Sequence, residues 1–253
     1  MTTCKNCGTE FEGKYCPRCG QKASTRRIVT RDLFTDLIKK LIPWDKGFLF
    51  TLRRLMTSPG RMVRDYLDGH RVDHSKPLSF LFLVTAIVLF AFNQDLFMRS
   101  MEVNTCQDIQ GNQQVMGLTK WLFSHMSLVM LGLIPFLALC SKLFFRRDDI
   151  NYAEHLVFNV YLMAGCILLS IPLLILVDLR GSTQPNPVIS FLGALPYLVF
   201  FGWGYTQFFS SGRPWVRALK SLLVYGIGYM LYIIFIGIVV IFWTLFNQMF
   251  QQQ

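Results

Sequence analysis

Leu222–Phe246 reads LLVYGIGYMLYIIFIGIVVIFWTLF, 25 residues without one Lys, Arg, Asp or Glu. A helix of that length covers about 37 Å, and the hydrocarbon layer of a bilayer is about 30 Å thick. The stretch therefore predicts a transmembrane helix. Four further apolar stretches precede it, at about Leu78–Phe97, Trp121–Phe145, Leu156–Val177 and Val188–Phe209. Leu78–Phe97 is the weakest, because Asn93-Gln94-Asp95 directly follows Phe92. Over the whole chain 53% of residues are hydrophobic and 16% are charged, where a soluble domain carries about 25% charged residues. The expected fold is an all-α polytopic membrane protein with about five transmembrane helices across residues 78–253.

Charge sets the expected orientation. Five spans with the N-terminus in the cytoplasm place 22 of the 25 Lys and Arg inside and 3 outside. Without the first span the split is 19 to 6. Cytoplasmic flanks carry the excess of Lys and Arg, so five spans fit better. That arrangement puts the C-terminal Gln251-Gln252-Gln253 outside. The first thirty residues are polar, basic and cysteine-rich, without the apolar core of a signal peptide.

Residues 23–77 read as a basic linker, Ala23–Arg27, followed by amphipathic helices. Leu33, Phe34, Leu37, Ile38 and Leu41 recur at helical spacing until Pro43. Phe48, Leu49, Leu52, Leu55 and Met56 form a second apolar face opposite Arg53 and Arg54. Ser58-Pro59 predicts a new helix, with serine as its cap and proline in its first turn. Met62, Val63, Tyr66 and Leu67 supply its apolar side, and Gly69 closes it. Basic amphipathic helices of this kind lie in a membrane interface. Packing on one another is the alternative.

Residues 1–22 carry the clearest chemistry. They hold Cys4-Lys-Asn-Cys7-Gly8, eight intervening residues counted from Gly8 to Tyr15, and Cys16-Pro-Arg-Cys19-Gly20. Two Cys-x2-Cys pairs offer four thiolates to a tetrahedral ion, and four sulfurs close zinc off from substrate. Cys4, Cys7, Cys16 and Cys19 are therefore the expected ligands of a structural Zn2+. A redox dithiol and an iron site are the rivals. The short spacer predicts a minimal hairpin between the pairs. Phe11 and Tyr15 are the only sizeable apolar side chains, so metal binding and folding are expected to be one event.

Other polar residues suggest less specific chemistry. Glu154 and His155, with Asn159 one turn on, are candidate acid–base or metal groups at the cytoplasmic edge of a span. Interfacial anchoring is the plainer reading of the same residues. His125 lies towards the opposite end of its span and reads as a local helix contact. His70 and His74, four apart amid Asp65, Asp68 and Asp73, could ligate a metal, but Gly69 ends the helix before them, so they read as solvated loop residues. No Lys, Arg, Asp or Glu sits deep in a span, where ion-coupled transporters place such groups, and no phosphate loop or nucleophile elbow occurs.

Several motifs occur in a fixed order: the paired cysteines ending in Tyr-Cys-Pro-Arg-Cys-Gly-Gln, Asp45-Lys46-Gly47-Phe48, Ser58-Pro59-Gly60, Asp65-Tyr66-Leu67 with Gly69-His70-Arg71, and Tyr152-Ala-Glu154-His155. This order resembles the bacterial membrane family known as domain of unknown function 3667. The resemblance implies an inner-membrane protein with a zinc-ribbon head, and it brings no established activity. The function expected is that of a non-enzymatic membrane protein whose cytosolic head recruits a protein partner at the bilayer. One alternative is a small-molecule or lipid transporter, or a membrane-embedded enzyme, using Glu154, His155 and Asn159. Another is a membrane-tethered nucleic-acid-binding head, suggested by the net charge of +10.

Overall fold

The computed structural model describes residues 1–25, 27–30, 47–91, 126–180 and 187–251. Two short strands, β1 (Thr2–Thr3) and β2 (Glu10–Phe11), pair antiparallel in the N-terminal module. Seven α-helices follow among the described residues: α1 (Phe48–Thr57), α2 (Pro59–Asp68), α3 (Pro77–Ala91), α4 (Met126–Phe144), α5 (Tyr152–Arg180), α6 (Pro187–Phe208) and α7 (Pro214–Gln251). A 3-10 turn at Arg146–Asp148 joins α4 to α5. The helical pattern expected for residues 33–41 lies outside the described residues.

α5 is the central post. It packs against α1, α2, α3, α4 and α6, and every residue from Ala153 to Cys166 is buried. Tyr161, Phe158 and Leu162 are fully enclosed, and Phe158 stacks on Phe208 of α6 at 4.1 Å. α7 lies outside this group, against α4 and α6. Its outward face leaves Met230, Ile234, Ile238 and Phe242 exposed.

Two of the described helices, α5 and α7, are long and apolar enough to cross a membrane. This is fewer than the five stretches expected. The described part of α3 has only 15 residues, about 22 Å of helix. The rest of Leu78–Phe97 and the start of Trp121–Phe145 lie outside the described residues.

α1 and α2 form the expected pair of amphipathic helices, and protein covers the apolar face of α2 and part of that of α1. α2 buries Pro59, Gly60, Met62, Val63 and Tyr66, and it packs on α5 and α6. Protein thus meets the apolar side of α2, whereas Leu49 and Phe50 of α1 remain exposed. Ser58 does not cap α2 with its side chain; its hydroxyl turns back towards Arg54 O of α1 at 3.4 Å. Gln207 Oε1 of α6 instead accepts from Gly60 N at 3.2 Å. The close crossing of the helices brings that side chain within reach. A Cβ on Gly60 would lie 2.4 Å from Gly204 O and 2.5 Å from Phe208 N, so only glycine lets the two backbones meet here.

Candidate metal centre and its seat on the helices

Each Cys-x2-Cys-Gly unit forms the same turn. Cys4 O accepts from Gly8 N at 2.9 Å, and Cys4 N donates to Thr9 O at 2.9 Å. Cys16 O accepts from Gly20 N at 2.9 Å, and Cys16 N donates to Gln21 O at 2.8 Å. Gly8 and Gly20 have φ of +72° and +75°, a region that side chains disfavour. The hairpin is not between the pairs, as expected, but around them. β1 and β2 flank the first pair, and Tyr15 bridges Lys22 across the second. Each turn closes on its own backbone, so the spacer only has to join the two.

The four sulfurs converge, all lying within 4.8 Å of one another. Cys4 Sγ is 3.5 Å from Cys19 Sγ, and Cys7 Sγ is 3.6 Å from Cys16 Sγ. Tetrahedral Zn–S bonds put sulfurs about 3.8 Å apart, whereas a disulfide needs about 2 Å. The cysteines are free thiols, and their spacing fits a metal ion. Phe11 is buried beside Cys4 and Cys16, but Tyr15 is exposed. One aromatic ring is too little core to hold the module without a staple. The Thr9 hydroxyl and amide bring the Cys7 thiol down to about 6, while burial pushes Cys19 up to about 12.

The module is seated on the helices. The buried Gln21 donates from Nε2 to Gly69 O, at the end of α2, at 2.8 Å. Arg27 grips Glu154 with two bonds, of 2.7 and 2.8 Å, and also reaches Asp149 O. Asn151 Nδ2 donates to Ile28 O at 3.1 Å, and Ile28 is buried in the main core. Ala23–Arg27 is thus a docked strap in its described residues, not merely a linker.

Glu154 has a structural role that the sequence carried unread. Its carboxylate accepts from Asn151 N at 2.9 Å, while Asn151 Oδ1 accepts from Glu154 N at 2.9 Å. This reciprocal pair is a capping box at the start of α5. The signal was Asn151-Tyr152-Ala153-Glu154, with Asn as an N-cap residue three before Glu.

His155 points elsewhere, so it does not pair with Glu154. Its Nδ1 is 2.8 Å from Ser141 Oγ of α4. Asn159 Nδ2 donates to Ser141 Oγ at 3.3 Å and to His155 O at 2.8 Å. Tyr205 of α6 donates to Asn159 Oδ1 at 3.0 Å. All four side chains are buried, and together they tie α4, α5 and α6. His155 Nε2 is buried without a hydrogen-bond partner. Ser141 is not marked by the sequence, because a lone hydroxyl in an apolar run carries no spacing signal, and Tyr205 reads there only as one of the packing aromatics of its span.

The remaining histidines are not gathered into a site. His125 lies outside the described residues. His70 is exposed, as expected. His74 is not a solvated loop residue: it is buried edge-on to Phe50 at 5.1 Å and Tyr66 at 6.2 Å. That burial lowers its pKa. Among the described residues, the four cysteines are the group able to converge on an ion.

Several basic residues counted towards the cytoplasmic charge close helix ends. Arg64 donates to Phe208 O and Arg217 to Phe209 O, while Lys220 reaches Phe144 O at 3.2 Å. Cations favour such carbonyl-rich termini. Asp148 Oδ1 accepts from Ser210 N, Ser210 Oγ and Ser211 N at 2.9, 2.9 and 3.0 Å. Burial works to raise the Asp148 carboxyl, but those donors outweigh it and hold it below its ordinary value. The C-termini of α4 and α6 and the N-termini of α5 and α7 thus meet at one end, where the cysteine module docks.

No curated protein and no solved structure matches the chain. The cysteine cluster and Tyr152–His155 lie outside the one segment for which a family match is found. Residues 45–89, which contain α1, α2 and all but the last two residues of α3, match the family described as protein of unknown function (DUF3667), the family that the ordered motifs resemble.

Proposed function

We propose that this chain is a non-enzymatic protein of the bacterial inner membrane whose cytoplasmic Cys4 zinc head recruits a protein partner. The convergence of four sulfurs within 4.8 Å carries the reading, because four thiolates leave zinc no open position for substrate. Docking uses one side of the head, at Gln21 and Lys5. Lys14, Tyr15, Arg18 and Lys22 remain exposed for a partner. Structural zinc is the ion proposed.

The membrane arrangement proposed has five spans, with the head inside and the C-terminus outside. The shared end of α4, α5, α6 and α7 supports it. The head docks at that end, beside Arg146, Arg147 and Arg213, so positive-inside orientation makes it cytoplasmic. α4 then starts at the far end, and the first of the proposed spans is the one that includes α3. α7 runs away from the shared end, which carries Gln251 outward.

Capture from native membranes tests the function, comparing the full-length protein with a Cys16→Ser, Cys19→Ser variant. A protein retained by the first and lost by the second supports a zinc-dependent recruiting head. Identical partners in both captures sink it.

A transporter or membrane-embedded enzyme at Glu154, His155 and Asn159 draws support from the unpartnered His155 Nε2. It is disfavoured because Glu154 is already engaged by Arg27 and Asn151. Nucleic-acid binding by the head is the third reading; steep loss of binding with salt is its signature.

A further inference from the structure

We infer that the cysteine centre gates a strap, residues 21–25 with 27 and 28, which is released from the helices when metal is lost. This rests on the metal reading above and adds its regulation. The seat is the acidic elbow Asp149–Glu154 together with Gly69 O at the end of α2. Its occupant is the chain's own segment.

Gln21 is the hinge between centre and seat. Its backbone oxygen closes the second cysteine turn by accepting from Cys16 N at 2.8 Å. The residue is 6% exposed, and its side chain donates to Gly69 O. The turn therefore sets where the side chain lies. The Tyr15–Lys22 bridge and the bond from Ala23 N to Lys14 O, at 3.0 Å, fix the start of the strap to the same module. The cluster of Cys4, Phe11 and Cys16 is its whole buried core, so these restraints depend on the ion.

The far end of the strap fits the elbow by charge. The Glu154 side chain is 9% exposed, and Arg27 is its ion-pair partner. Without Arg27, a nearly buried carboxylate keeps one amide donor from Asn151. Leaving a buried charge unpaired is costly. The metal-folded head holds Arg27 and Ile28 close to their sites, which raises their effective concentration there. Loss of metal removes that advantage, loosens the strap and uncovers the elbow at the start of α5. A metal state at the surface thereby reaches the helix around which the body is built.

Linkage makes the inference testable in both directions: if metal favours docking, docking favours metal by the same factor. Cobalt affinity of the full-length protein in detergent is read from thiolate-to-cobalt absorption against a competing chelator. Arg27→Ala and Glu154→Gln are expected to weaken it roughly tenfold. Arg27→Lys, which keeps the charge but not the two-pronged bond, is expected to weaken it as well. Lys14→Ala measures the effect of losing a nearby charge alone. Trypsin cleavage at Arg27 is expected to be slow with metal and fast after chelation. A loss in Arg27→Ala no greater than in Lys14→Ala overturns the gate, as does cleavage indifferent to metal. Absence of cobalt binding by the unmodified protein overturns the metal reading itself, and the gate with it.

Discussion

α5 and α7 are both apolar and both longer than a bilayer core is thick, yet their surroundings are opposite. In α5, 72% of the window Tyr152–Leu169 is buried within the protein; in α7, 17% of Pro214–Trp243 is. α5 faces protein on nearly every side and can carry His155 and Asn159, because Ser141 and Tyr205 satisfy them. α7 carries aliphatic and aromatic side chains outward, where lipid is the medium that suits them. Hydropathy alone therefore marks a helix as unsuited to water. Whether protein or lipid replaces the water is decided by the neighbours.

Truncating a ring on each helix is the most direct attempt to break this contrast. Phe158→Ala is expected to destabilise the protein in detergent by about 3–5 kcal/mol, since it empties a packed site between α5 and α6. Phe242→Ala on the exposed face of α7 is expected to cost less than about 0.5 kcal/mol. Equal costs in a denaturant series would refute the assignment of the two environments.

The polar tie sharpens the same contrast. Asn159→Leu leaves the Tyr205 hydroxyl without its acceptor, at roughly 1–3 kcal/mol. Tyr205→Phe is expected to cost clearly less in that background than in the unmodified protein. An additive double-mutant cycle would show that the bond contributes nothing.

Glycine substitution is expected to act with opposite signs. Gly60→Ala pushes a methyl group against the backbone of α6, at about 1–3 kcal/mol. Gly237→Ala on α7 meets no atom within 4 Å, so helix propensity leads to a gain of up to about 1 kcal/mol. Thermal unfolding midpoints in one detergent compare the pair.

Acid supplies the smallest effect. His74 has a lowered pKa in the folded state, so the unfolded chain takes up its proton first. Stability is therefore expected to fall as pH drops below about 6.5. Asp148, also lowered, keeps its contribution above the ordinary Asp range and loses it only at lower pH. His74 thus shares the slope between pH 7 and 5 with Cys7, whose thiol titrates near 6 in the folded state, and His74→Asn is expected to reduce that slope. An unchanged slope in that variant would remove the assignment.

What could be read beforehand was local. The paired cysteines with their glycines specify two turns, and Gly69 closes α2, because each signal acts within five residues. Asn151 and Glu154 are equally legible as a capping box, but Glu154 beside His155 also has the chemistry of an acid–base pair. Ser58 misled for the opposite reason: it has the right chemistry for a cap, but Gln207 arrives from α6 at the same place. His74 looked exposed because its neighbours in sequence are polar, whereas its neighbours in space are Phe50 and Tyr66.

Local patterns along the chain already carry the apolar helices, the excess of basic residues before the first of them and the four-cysteine motif. Composition and short spacing suffice for such features, since each reflects a solvent preference or a single turn of backbone. Packing in three dimensions makes α5 the post and α7 the outer wall, lays the apolar face of α2 on α6, and lets Arg27 seat the cysteine module on Glu154. Those outcomes rest on contacts between residues up to 147 positions apart, as with Gly60 and Gln207. Their strength depends on which surfaces are removed from solvent together, and no local pattern records that.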